Sequence, residues 1–150
     1  FRDILIFGIV LNVAAGLGAM TFAWVDDWLG PKRTIQISLV GLLGFGVAAL
    51  LVDTVAALYI TGCGLGLFIG PAQSASRSMM ARMAPAHLQT EMFGLYALSG
   101  KATAFVGPAL VGWVTLWAGS QRAGMATILL FFLVGFALLW RVPAPKGEAA

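Results

Sequence analysis

Long apolar runs separated by short polar breaks set the plan of this chain. Runs at about 4–25, 34–52, 55–76, 92–117 and 123–140 each come close to or exceed the ~20 mostly apolar residues that cross a bilayer as a helix. Asp53-Thr54 alone separates the second run from the third, and 118–122 separates the fourth from the fifth. Links this short join antiparallel neighbours. The pattern predicts an all-α membrane protein, a compact bundle of five transmembrane helices. An odd number of spans puts the two chain ends on opposite sides.

Composition supports that reading. The 150 residues are 60% hydrophobic and only 10% charged, with a mean hydropathy of +0.93, against about 25% charged residues in soluble domains. A soluble fold of this size cannot hide so much apolar surface, so the lipid bilayer is the first expected partner. The nine basic residues form no patch, which argues against nucleic acid. A single cysteine, Cys63, excludes an internal disulfide and a Cys-cluster metal site. No carboxylate pair, H-E-x-x-H or Cys/His ligand set is present, and Gly62-Cys63-Gly64-Leu65-Gly66 lacks both the spacing and the leading strand of a nucleotide loop. The sole histidine, His87, falls in a polar loop, and Ser99 and Lys101, two apart on a helix, point in different directions. Neither an enzyme nor a cofactor or metal is expected. Phe1 leads through Arg2-Asp3 straight into an apolar run, without the layout of a signal peptide. The chain reads as a fragment with upstream sequence missing: a transmembrane unit at 1–142 and a disordered cytoplasmic tail at 143–150.

The basic residues orient the bundle. Lys32, Arg33, Arg77, Arg82, Arg141 and Lys146 fall on one side, Arg2 and Arg122 on the other. The first side is assigned to the cytoplasm, so the N-terminus faces outward and the C-terminus inward.

The runs differ in character. The second and fifth are apolar nearly all round and read as lipid-facing. On the first, Gly8, Asn12, Ala15, Gly16, Ala19 and Ala23 share a face. On the third, Gly62, Gly66 and Gly70 recur every four residues, a ridge that lets helix backbones approach closely. Gln73 and Arg77 project beyond it, either as a polar entrance to a solute path or, for Arg77, snorkelling to headgroups. Gly70-Pro71 and Gly107-Pro108 mark helix breaks.

Lys101 stands about nine residues into its run, roughly 14 Å deep at 1.5 Å per residue, near the middle of a ~30 Å hydrocarbon core. A cation there costs about 2.5–3.5 kcal/mol on insertion scales, so such residues tend to be functional. Gly94, Ala97, Ala104, Pro108 and Gly112 share its face, which should lie against another helix or a cavity. Lys101 then binds an anionic group, exchanges a proton, pairs with a carboxylate, or donates to backbone carbonyls. Ser99 and Thr103 read as packing hydroxyls, and Cys63 as inert packing.

Two segments carry a family resemblance. Asp27, Gly30 and Lys32, followed by Arg33, resemble the major facilitator superfamily loop signature G-x-x-x-D-R-x-G-R-[KR], with Ala23, Trp28 and Pro31 as departures. The segment from Gly70-Pro71-Ala72-Gln73 to Arg77-Ser78, followed by Phe93-Gly94-Leu95-Tyr96 and Ser99-Gly100-Lys101-Ala102-Thr103, is similar to the vacuole effluxer-like branch of that superfamily. Fungal relatives in that branch are associated with amino-acid efflux from the vacuole. The resemblance implies helices eight to twelve of a twelve-helix major facilitator fold, with the N-terminal half of the same transporter missing. Asp27 would then meet the start of helix eleven near Thr90 and Glu91 as a cytoplasmic latch, or Glu91 would cap its own helix. The Gly-Pro pairs would be bending points. The function implied is secondary active transport of a small polar solute by alternating access, as amino-acid or metabolite efflux, with a proton as a candidate coupling ion. The location implied is a bacterial inner membrane. The alternative is a non-transporting membrane scaffold or assembly partner.

Overall fold

A computed structural model describes residues 2–144. Its five helices are α1 (Arg2–Leu29), α2 (Pro31–Leu51), α3 (Val55–Met83), α4 (Gln89–Ala118) and α5 (Gln121–Arg141). The architecture is all-α, as expected. Of the tail expected at 143–150, residues 145–150, Lys146 among them, lie outside the described residues.

Two polar segments expected as loops are largely helix. α1 continues to Leu29, so the segment 23–33 contains a single non-helical residue, Gly30, before α2 starts at Pro31. Gly30 has φ 82°, a left-handed conformation that glycine adopts without penalty. Pro31 then supplies a preset φ at the first helical position. α3 likewise carries Arg77 and Arg82 to Met83, which shrinks the polar hairpin to 84–88. Polar side chains near a helix end reach water while the backbone keeps its internal bonds, the arrangement a membrane environment demands. Thr54 opens α3, its hydroxyl accepting from the Ala57 N–H at 3.3 Å.

By length and composition α1, α2, α3 and α5 can each cross a membrane. α4 is as long, but Tyr96, Ser99, Gly100, Lys101 and Thr103 dilute its apolar run. It falls below the hydropathy of the other four.

α3 is the centre of the packing. α1 and α2 lie against it, α5 lies on α2, and α4 lies on α5; α4 barely meets α3, and α1 and α4 do not touch. The Gly62, Gly66 and Gly70 ridge lies against α1. Phe7 fills the notch at Gly62, Leu11 and Ala14 cover Gly66, and the Ala15 carbonyl leaves no room for a Cβ on Gly70. The α1 side of this contact overlaps the face expected only in part, at Ala15 and Ala19, which meet Gly70. It is built from Phe7, Leu11, Ala14, Ala15, Gly18 and Phe22, whereas Gly8 and Gly16 have nothing within 4 Å of a would-be Cβ. At Gly66, Gly70 and Gly18 the backbones themselves meet, whereas a large side chain fills the notch at Gly62. α2 and α3 use the same device, with Phe68 over Gly41 and Phe45 over Gly64. Phe68 also packs between Phe22 and Phe45, at ring centroid distances of 5.6 and 5.9 Å.

α5 is tied to its neighbours at both ends. The Lys32 ammonium donates to the Val142 carbonyl at 2.6 Å, just past the last turn of α5, where positive charge suits the helix dipole. At the opposite end Arg122 pairs with Asp53 of the α2–α3 turn. Between these points Leu129 fills the notch at Gly46. The buried hydroxyls of Thr34, Ser38 and Thr61 donate one turn back to the carbonyls of Gly30, Thr34 and Ala57. Burial is thin elsewhere, and Leu, Ile, Val and Phe side chains cover the outside. All five tryptophans are at least 68% exposed. Trp24, Trp28 and Trp140 stand near one end of the bundle, Trp113 and Trp117 near the other. On α5 the 20 residues from Gln121 to Trp140 rise about 29 Å at 1.5 Å per step, close to the ~30 Å hydrocarbon thickness. Aromatic belts at both interfaces and an apolar waist are the outline of a membrane protein.

Candidate functional site

Lys101 lies 12 residues from the start of α4 and 17 from its end, about 18 and 26 Å respectively at 1.5 Å per residue. It is exposed, and α4 buries none of its residues. A Cβ on Gly94, Gly100, Gly107 or Gly112 would meet nothing within 4 Å. The small-residue face expected to lie against protein is therefore open among the described residues. α4 rests on α5 instead, where Thr115 and the Val111 carbonyl fill the notch at Gly124. Pro108, on the Lys101 face, has no N–H to give the carbonyl of Ala104 four residues back. One face of α4 thus carries an ammonium and, a turn away, a carbonyl deprived of its usual helical donor. Ser99 and Thr103 spend their hydroxyls on Tyr96 and Ser99 carbonyls at 2.9 and 2.8 Å, consistent with packing hydroxyls.

Gln73 and Arg77 are exposed, four residues apart on the last third of α3. Asn12 is exposed too, but its amide donates to the Gly8 carbonyl of its own helix at 2.8 Å. These residues and Lys101 do not form one cluster, because α4 leans on α5 and leaves α1 and most of α3. For the same reason the Asp27 latch is not made: Asp27 ends α1 in an exposed position, and α1 has no contact with α4. Leu88 caps α4 without a side-chain bond, and Glu91 sits in the first turn, where a carboxylate suits the helix dipole. That is the local reading of Glu91. His87 is exposed in the 84–88 turn.

The loop signature has a structural use that sequence reasoning missed. Gly30 makes the break, Lys32 reaches across to α5, and Arg33 stays exposed. Asp26 was also missed. Its Oδ1 is buried with no hydrogen-bond partner among the described residues, while its backbone carbonyl accepts from Gly30 N–H at 3.0 Å. No spacing rule separates Asp26 from Asp27; burial alone does.

The two Gly-Pro pairs behave differently although both helices run unbroken through them. Pro71 is fully buried. The Leu67 carbonyl, which it cannot serve as donor, is covered by Gly18 of α1 so closely that a Cβ would not fit. Pro108 is exposed, and Gly107 has nothing within 4 Å of a would-be Cβ.

Comparisons with known proteins agree with this architecture. A family model described as "Vacuole effluxer Atg22 like" matches residues 3–150. Autophagy-related protein 22 of Coccidioides immitis is 28% identical over 160 residues, covering 95% of this chain and 26% of that protein. Autophagy-related protein 22 of Cryptococcus neoformans var. neoformans serotype D is 32% identical over 91 residues, covering 61% of this chain and 17% of that protein. Autophagy-related protein 22-1 of Phaeosphaeria nodorum is 34% identical over 83 residues, covering 55% of this chain and 15% of that protein. The chain therefore spans about a sixth to a quarter of the length of these relatives. They are fungal proteins and lend no support to a bacterial inner membrane. No solved structure matches this chain.

Proposed function

The chain belongs to the vacuole effluxer Atg22-like family, and from that premise we propose that it is part of the membrane bundle of a secondary transporter that exports a small zwitterionic solute of amino-acid type by alternating access. The observation that carries this reading is the open face of α4. Lys101 offers an ammonium to a carboxylate, and Ala104, deprived of a donor by Pro108, offers a carbonyl to a solute ammonium. In an apolar setting both groups gain from a solute that completes them. Gln73 and Arg77 serve as polar steps towards the basic end of α3. Asn12 belongs to the α1 side of the path, where its amide is held one turn back. α4 crosses the membrane like the other four helices, with its polar face turned to the remainder of the transporter rather than to lipid. The bundle end bearing Lys32, Arg33, Arg82 and Arg141 faces the cytoplasm, and a proton is the candidate coupling ion.

Reconstitution of the full-length protein in proteoliposomes loaded with mixed radiolabelled neutral amino acids tests this. Lys101→Ala is expected to lower efflux at least ten-fold while the protein remains folded, and Lys101→Arg is expected to retain part of it. Undiminished efflux from Lys101→Ala removes this face from the mechanism.

A further inference from the structure

We propose that the cleft between α3 and α5, floored by α2, holds an acyl chain of an anionic phospholipid whose headgroup sits at the basic rim where α2 begins and α3 and α5 end. α2 packs against both α3 and α5, whose backbones stay apart from each other among the described residues, so a cleft is left between them. One cavity of about 490 Å³ is walled by Ile35, Leu39, Met79, Met83, Gly135 and Leu139. Methionine is unbranched and adapts to an irregular apolar guest. Ser76 is the one polar side chain on that wall, and its hydroxyl is given to the Ala72 carbonyl at 2.6 Å. A polar solute finds no partner there, whereas a hydrocarbon chain does. From Ala72 to Met83 the wall runs 12 residues, about 16 Å of helix, long enough to seat most of an extended acyl chain. A second cavity of about 190 Å³, lined by Leu42, Gly46, Leu65, Leu129 and Phe132 among others, continues the cleft towards the other end of the bundle.

The rim supplies the charge. Val142 closes the cleft, and the Lys32 ammonium is held on its carbonyl. Arg82 lies in the last turn of α3 and Arg141 in the last turn of α5, both exposed. The wall segments 31–39, 72–83 and 135–142 carry no carboxylate; Asp26 and Asp27 end α1 on the far side of the Gly30 break. Basic side chains carried to one membrane surface favour anionic over zwitterionic headgroups.

The test is native mass spectrometry of the full-length protein, purified in detergent after exposure to vesicles of equimolar phosphatidylglycerol and phosphatidylcholine. One phosphatidylglycerol is expected to survive delipidation, retained at least ten-fold over phosphatidylcholine. Gly135→Phe fills the cleft at a position with open space around it and is expected to abolish that retention. The double variant Arg82→Gln/Arg141→Gln alters only exposed side chains and is expected to bring the two lipids near parity, so it decides the matter even if Gly135→Phe does not fold. Equal retention of both lipids by the unaltered protein overturns the proposal. So does a phosphatidylglycerol preference that survives these variants. Loss of all lipid from the unaltered protein also overturns it, since another part of the full-length chain then occupies the cleft.

Discussion

Gly70 and Gly100 show why a glycine means different things at different places in this chain. At Gly70 the Ala15 carbonyl of α1 occupies the space a side chain would need, whereas nothing lies within 4 Å of a Cβ at Gly100. Gly70→Leu is expected to destabilise the full-length protein by about 1–3 kcal/mol, the usual range for overpacking, visible as a lower thermal midpoint in detergent. Gly100→Ala is expected to leave the midpoint unchanged, or to raise it slightly by removing a flexible residue from a helix. Equal behaviour of the two variants would mean that α1 does not approach α3 at this point. The four-residue glycine repeat of α3 was legible in the sequence because close helix crossings need small residues at that period. The α1 surface it receives was not legible, because a knob such as Phe7 or Leu11 looks like any other lipid-facing residue until its notch is known. Lys101 was legible as an anomaly of composition. Its surroundings were not, because periodicity names a face without naming what lies opposite.

At the scale of elements, all five helices could be read from apolar run length, and the α1–α2 break from Gly30-Pro31. The ends of α1 and α3 could not, since Asp26, Asp27, Arg77 and Arg82 look like loop residues yet extend their helices into the interface. The connection from α2 to α5 was equally hidden, as 110 residues separate Lys32 from the carbonyl it holds. Lys32→Met keeps the stem and removes the charge. It is expected to cost about 1 kcal/mol locally and to raise amide exchange in the last turn of α5 several-fold, with α1 unchanged. Unaltered exchange in α5 would show that the bond adds nothing to holding that end. Asp53→Asn, at the opposite end, breaks an ion pair whose side chains are 57% and 78% exposed. Exposed pairs are worth little, so a shift well under that of Lys32→Met is expected, shrinking further in high salt.

For the whole molecule, the proposed orientation rests on the uneven spread of basic residues between the two ends and is open to a direct test. In the full-length protein with Cys63→Ala, Ser120→Cys is expected to react with an impermeant maleimide from outside intact cells or from the non-cytosolic face of vesicles. Ala86→Cys is expected to react only from the cytosol. The reverse pattern overturns the orientation. The openness of the Lys101 face of α4 among the described residues was not legible, because small residues in register look the same whether or not another helix lies on them.

The two Gly-Pro pairs, alike on paper, have opposite mechanical characters. At Pro71 the deprived carbonyl is sealed under Gly18, so water cannot enter to loosen the turn, and the crossing acts as a rivet fastening α1 to α3. At Pro108 no neighbouring helix among the described residues covers the deprived Ala104 carbonyl, so this stretch of α4 is the more pliable of the two. Strain applied to this bundle would therefore be taken up as flexing of α4, one turn from Lys101, while α1, α2 and α3 move as a stiff block.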